Sequence, residues 1–272
     1  MKGYAFFPLV AHSARRNGGL LGATVALLVA FQALTALMAA SFQETKAFDQ
    51  LAAMAPDFIR QAFGSSFLPM LSFSGIVTLG FFHFAVITFL VGLAIAIATE
   101  PASEVEAHFN DVLMARPLTR SVPILRSGVL VAAVSVATCG AMCAGTWAGL
   151  AMFAPEGTPW PRPRLILSLG ALLAALMFCW GGVALAIGSL SRRRGIAGTL
   201  AGLAAFALFL LDVVARVWSP ARGLGRLSPF HYFDPLRLVA GASLAWKDLM
   251  VLLAIGLAAF IAALVIYNRR DL

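Results

Sequence analysis

Charge is scarce in this chain of 272 residues: only 12% are Asp, Glu, Lys or Arg, and just three are Lys. Soluble domains carry about 25% charged residues, so a fold surrounded by water on every side is excluded. The three lysines, Lys2, Lys46 and Lys247, neither follow Gly nor precede Ser or Thr. A P-loop needs Gly-Lys-Ser/Thr, because backbone amides and the Lys together hold the phosphates. No conventional nucleotide-hydrolysing site is therefore encoded. A His-Glu-x-x-His metal motif, a Gly-x-Ser-x-Gly elbow and a dinucleotide fingerprint are missing too. The four histidines, His12, His83, His108 and His231, are scattered. The expectation is a chain that is not an enzyme and carries no cofactor or metal of its own.

Cysteine is also rare. Cys139, Cys143 and Cys179 all fall inside apolar runs, and no disulfide framework is implied. Cys139 and Cys143 share a helix face at i, i+4, and thiolates suit soft metals. With no His or acid nearby in sequence, the small-hydrophobe reading outweighs a metal site.

What is abundant is apolar sequence, at 61% of residues and a mean hydropathy of +0.90. A bilayer core of about 30 Å needs about 20 apolar residues in helix. Six segments qualify, at about 19–40, 71–98, 127–154, 165–190, 196–217 and 248–267. The fold class expected is an all-α membrane protein, one transmembrane domain over 1–272. Residues Tyr4 to Ser13 read as a helix lying in the membrane interface. The net charge of +8 sits beside apolar spans without a basic-aromatic module, which argues for anionic membrane lipid and against nucleic acid.

Orientation rests on Lys and Arg. With the N-terminus inside, the inner side holds Lys2, Arg15, Arg16, Arg116, Arg120, Arg126, Arg192, Arg193, Arg194, Arg269 and Arg270, eleven of twenty. Short loops weigh more than long ones, and Arg192–Arg194 fill a short one. Both termini are expected to be cytoplasmic. Between the first two spans, Pro56 and Gly64 bound an apolar face of Phe58, Ile59, Ala62 and Phe63, read as a short helix on the outer surface. Before the last span, Pro220, Gly223, Gly225 and Pro229 break regularity, and Asp234 to Ala245 is helix-compatible.

Polar residues inside the spans are few. Gln32 and Thr35 in the first, and His83 and Thr88 in the second, fall near mid-bilayer by a rise of about 1.5 Å per residue. They are candidates for a substrate path or for interhelical hydrogen bonds. The two readings balance for His83, and packing weighs more for the other three. Asp212 and Arg216 are spaced for an i, i+4 pair, structural rather than gating. Gly145-x-x-x-Gly149 and Gly198-x-x-x-Gly202 allow close helix approach, expected within the chain rather than at a dimer seam.

One charged segment stands between two spans: Glu104 to Arg120, EVEAHFNDVLMARPLTR. Acids lead and bases follow, which suits a helix dipole. Ser103-x-x-Glu106 reads as a capping box and Pro117 as a stop. From chemistry alone it reads more readily as a solvated connector than as a docking helix. The segment resembles the signature of type-2 ABC-exporter permeases: acidic-x-acidic-x-Gly-x-x-acidic, apolar residues, then Ala-x-Pro-apolar-Ser/Thr-Arg. Glu104, Glu106, Asp111, Ala115, Pro117, Thr119 and Arg120 fall on that pattern, while His108 stands where the family usually has Gly. Ser228 to Pro235 and the terminus Tyr267 to Leu272 agree as well, as do the order and spacing of the spans.

The resemblance implies the transmembrane subunit of a bacterial inner-membrane exporter. It implies a homodimer, or a pair with a similar permease, and two separate cytoplasmic ABC ATPase subunits carrying the ATP and Mg. The segment becomes a coupling helix, with Glu104, Glu106 and Asp111 pairing to ATPase bases, Val112 and Leu113 filling a groove, and Pro117 and Arg120 closing it. Outer segments that dip into the bilayer as a gate would include Phe58, Phe63, Phe230 and Tyr232. Substrates of the family include hydrophobic drugs, peptides, lipids and glycans, and some relatives serve copper-enzyme maturation. The alternative from another class is a scaffold or signalling partner of an ATPase that moves no cargo.

Overall fold

The computed structural model describes residues 10–11, 13, 15–45, 67–106 and 121–269. Every regular element among them is helical. In chain order they are α1 (Gly18–Glu44), α2 (Phe67–Met70), α3 (Phe73–Val77), α4 (Phe84–Ala98), α5 (Glu100–Glu106), α6 (Val122–Phe153), α7 (Pro163–Leu190), α8 (Arg194–Val217), α9 (Pro235–Val239) and α10 (Trp246–Arg269). Short 3-10 turns lie at Leu79–Phe81, Ser219–Ala221, Leu224–Leu227 and Pro229–Tyr232. Five helices are long and apolar enough to cross a membrane, six if the bent pair α4–α5 forms one span. The chain thus has the helices of a multi-pass membrane protein.

Helix ends follow local chemistry. Pro123 and Pro163 sit in the first turns of α6 and α7, where a missing N–H costs nothing. α6 ends where Ala154 turns extended ahead of Pro155, since a residue before Pro avoids the helical region. The loop that follows turns at Gly157, whose φ of +79° is one that a Cβ would disfavour. Five of the six expected spans match these helices to within a few residues.

The second expected span does not. Residues 71–98 are broken into α3, the 3-10 turn and α4, rather than forming one helix. Ser72 starts α3 by accepting a hydrogen bond from Gly75 N at 3.1 Å, and His83 is extended at the start of α4. Gly75 and Gly80 each weaken a helix by about 1 kcal/mol relative to Ala. Contacts with α1 reward the break: Thr35 Oγ1 lies 3.2 Å from the terminal carbonyl of Val77. Gly80 leaves room for the Gln32 side chain, which a Cβ there would strike.

In a bilayer, helices gain little from burying apolar surface against each other and rely on close packing and hydrogen bonds. α7 is the central helix, packed against α4, α6, α8 and α10, with Leu173, Leu176, Met177, Cys179 and Trp180 buried along it. It meets α10 where Gly182 lies against the backbone of Gly256, with no room for a Cβ. α1 meets α6 at Gly145 and Gly149, where a Cβ would come within 2.9 Å of Val29 Cα and 2.8 Å of Ala33 Cα. That glycine pair serves packing within the chain. The second pair makes no such contact among the described residues: at Gly198 and Gly202 an added Cβ meets nothing of them within 4 Å. The three cysteines are free and buried. Cys139 Sγ rests 3.9 Å from Met177 Sδ, and Cys143 Sγ donates to Ile166 O at 3.6 Å.

α6 and α8 run one way along the bundle and α7 and α10 the other, which defines two ends. The far end carries three exposed tryptophans, Trp160 between α6 and α7, Trp218 after α8 and Trp246 opening α10. Amphipathic rings gather at a membrane–water boundary, so these mark one face of the bilayer. The near end carries Arg16, Arg126 and Arg192–Arg194.

Candidate functional site

At the near end, α4 stops at Ala98 and the chain resumes as α5 with a bend of 41°. Pro101 explains the bend, because it has no N–H for a helical bond to Ile97 and its ring crowds that carbonyl. α5 then presents Glu100 and Glu104, four residues apart, to one side, with Pro101 and Ala102 also buried.

Each acid of α5 holds a different part of the chain. Glu100 Oε1 accepts from Arg16 Nη2 at 2.9 Å and from Asn17 Nδ2 at 2.7 Å, which ties α5 to the start of α1. Glu104 forms an ion pair with Arg126 of α6. Glu106 Oε2 accepts from the backbone N of Arg194 at 3.0 Å, at the start of α8. Arg194 Nη2 also donates to Ala96 O of α4 at 3.1 Å. A seven-residue helix thus gathers the ends of α1, α6 and α8.

The three ties differ in strength. Arg16 is half exposed, and exposed pairs contribute about 0–1 kcal/mol. Glu104 and Arg126 are both buried, where removing one partner costs about 3–5 kcal/mol because the other charge is stranded. Glu104 Oε2, Arg126 Nε and Glu100 Oε2 are buried without a hydrogen-bond partner among the described residues.

Of the docking residues named from sequence, Glu104 and Glu106 are described and both are engaged within the chain. Asp111, Val112, Leu113, Pro117 and Arg120 lie outside the described residues. Ser103 is not a cap: it sits inside α5 and its hydroxyl donates to Glu100 O at 2.7 Å. The helix begins four residues earlier than the capping box implies, because Glu100 and Pro101 start it. Sequence reasoning missed Glu100 and Arg126. Glu100 had a signal in its i, i+4 spacing to Glu104, while Arg126 looked like one more topology charge.

Among the mid-span polar residues, Gln32 and Thr35 are buried together midway along α1. Thr35 Oγ1 donates to Gln32 O at 2.8 Å and lies 3.3 Å from Gln32 Oε1. Both face the break in the second span. His83 is exposed and meets the neighbouring Phe31, ring edge to ring face at 5.7 Å. Thr88 stands apart on an exposed face of α4.

At the far end, Phe58 and Phe63 lie outside the described residues. Phe230 is buried against Trp180 and Phe209, with ring centroids 5.6 and 5.5 Å apart. The Tyr232 hydroxyl donates to Arg226 O at 3.1 Å, and its ring lines a small hollow with Asp234, Arg237 and Asp248. The Asp212–Arg216 pair is present at 2.8 Å. His231 Nδ1 stands 3.6 Å from the other carboxylate oxygen, and Ser228 Oγ donates to Leu208 O at 2.8 Å. These contacts fasten the 219–232 stretch onto the end of α8. No family model matches this chain, and no curated protein matches its sequence.

Proposed function

We propose that this chain is the membrane-spanning subunit of an ATP-driven exporter of the type-2 ABC permease class. Separate ATPase subunits would bind at the near end, taken as cytoplasmic, and supply the ATP and Mg. The observation that supports this most is the placement of α5. Its last residues, Glu104 to Glu106, open the 104–120 segment that resembles the coupling helix, and its three acids reach α1, α6 and α8. A push on that segment would be shared among three helices at once rather than absorbed in one loop.

In this reading the Glu104–Arg126 pair keeps α5 and α6 in register. The second copy, a homodimer by resemblance, completes a path between the two halves. Alternating access then follows from a bistable arrangement biased by ATP on the partner. The break at Thr78–His83 is where the second span would bend, with Gln32 and Thr35 as its contacts on α1.

Docking is tested by co-isolation. The ATPase expressed together with this chain is expected to co-purify with it. Leu113→Asp should abolish that while leaving membrane insertion intact, since an apolar residue buried at a contact contributes about 1.5–3 kcal/mol. Full retention of the ATPase by Leu113→Asp, and by a variant with Asp111, Val112 and Leu113 all replaced by Ser, would remove docking from this segment. A chain that binds the ATPase yet moves no cargo in vesicles would instead be its scaffold.

A further inference from the structure

The three residues 191–193 that join α7 to α8 make an extended corner between two membrane-length helices. Arg192, Arg193 and Arg194 are all exposed there. Arg194 is engaged, through its backbone N with Glu106 and through its guanidinium with Ala96 O. Neither the Arg192 nor the Arg193 guanidinium forms an ion pair or hydrogen bond among the described residues. No acid occupies the first turn of α8. The three acids close by, Glu100, Glu104 and Glu106, are taken up by Arg16, Arg126 and the Arg194 amide.

Apolar side chains frame the same corner. Leu190 just before it is 67% exposed, and Ile196 and Leu200 just after it are 51% and 49% exposed. Exposed leucines on a membrane-length helix meet acyl chains, and the guanidiniums beyond them reach the level of the headgroups. Arginine offers a planar fork of donors that binds phosphate through two bonds. We infer that this corner is a binding site for an anionic phospholipid, with Arg192 and Arg193 holding the headgroup phosphate and Leu190, Ile196 and Leu200 lying along its chains. The inference rests on the membrane-spanning helices and not on the exporter reading.

A lipid here would touch α7 and α8 together and, through Arg194, stand beside the α5 junction. Its charge would neutralise two like charges that otherwise repel across the corner. Stabilisation by anionic lipid should therefore exceed that by zwitterionic lipid, and should weaken as salt rises.

The test is thermal unfolding of the full chain in nanodiscs of phosphatidylcholine alone and of phosphatidylcholine with phosphatidylglycerol. The wild type is expected to melt several degrees higher in the anionic discs. Arg192→Gln/Arg193→Gln should lose most of that difference, and its exposed positions leave the fold intact. Arg162→Gln/Arg164→Gln, which removes the same charge at the far end, should keep it. Equal melting of the wild type in the two discs overturns the inference. So does retention of the difference by Arg192→Gln/Arg193→Gln, or an equal loss in the far-end pair, which would indicate bulk charge. Full replacement of the effect by inorganic phosphate in detergent would make the ligand a free anion. Loss of ATPase co-purification in Arg192→Gln/Arg193→Gln, with the lipid difference unchanged, would make the corner a protein contact.

Discussion

Arg126 reaches Glu104 across the contact between α6 and α5 with both side chains almost out of solvent, at 6% and 7% exposure. Neither could be buried alone without stranding a charge, so parting the two helices would leave both charges without their partner. Arg126→Ala or Glu104→Ala is expected to cost about 3–5 kcal/mol. The apolar pair Glu104→Leu/Arg126→Met should recover most of that stability, since well-packed apolar replacements of buried pairs are often neutral. Thermal unfolding in detergent reads both. A single variant as stable as the wild type would mean that the pair is not closed in the folded protein.

The two glycine pairs should respond differently to the same change. At Gly149 a Cβ lies 2.8 Å from Ala33 Cα, while at Gly202 it meets nothing within 4 Å. Gly149→Leu is expected to cost at least about 1–3 kcal/mol from overpacking, and Gly202→Leu close to nothing in the isolated chain. Unfolding midpoints of the two variants check this. Equal loss in both would place Gly202 at a contact that the described residues do not make.

These contrasts show what could be read without a structure. Five spans were legible because long apolar runs are bounded by Arg, Pro or Trp, and such runs have few other uses. The break at Thr78–His83 was hidden, since Leu79 to Phe82 is as apolar as its neighbours. It depends on the fit of Gly80 against Gln32 and of Thr35 against Val77, which are far apart in sequence. The acids of α5 were legible as charge, but their partners Arg16, Arg126 and Arg194 come from three separate segments. Ser103 misled because a capping pattern says nothing about a helix that has already begun at Glu100. The Asp212–Arg216 pair was legible because one turn of helix supplies both residues, whereas His231 arrives from the following loop.

That loop supplies another expectation. Asp212 holds Arg216 on one oxygen and stands near His231 on the other, which fastens residues 219–232. Arg216 is half exposed, so losing the pair should cost only about 1 kcal/mol. Asp212→Asn is expected to raise amide exchange in 219–232 about fivefold while leaving α7 unchanged. Hydrogen exchange with mass spectrometry measures it. Unchanged exchange in the loop would show that the aromatic contacts of Phe230 hold it alone.

Orientation is open to chemical labelling. A cysteine at Arg193 is expected to react only after cells are permeabilised, and one at Gly157 to react in intact cells. The two residues lie at opposite ends of α7, so their reactivities must be opposite if α7 spans the membrane. Labelling of Arg193→Cys from outside would invert the topology and with it the side on which an ATPase binds.

The central claim is that this chain converts the work of an ATPase it does not itself contain. ATP hydrolysis by the purified chain in lipid, alone and then with its separately purified ATPase, tests that most directly. The account predicts background hydrolysis alone and robust hydrolysis by the complex, with Leu113→Asp returning the mixture to the rate of the free ATPase. Robust hydrolysis by the chain without any partner would contradict it, because the nucleotide site would then be one that its sequence does not reveal.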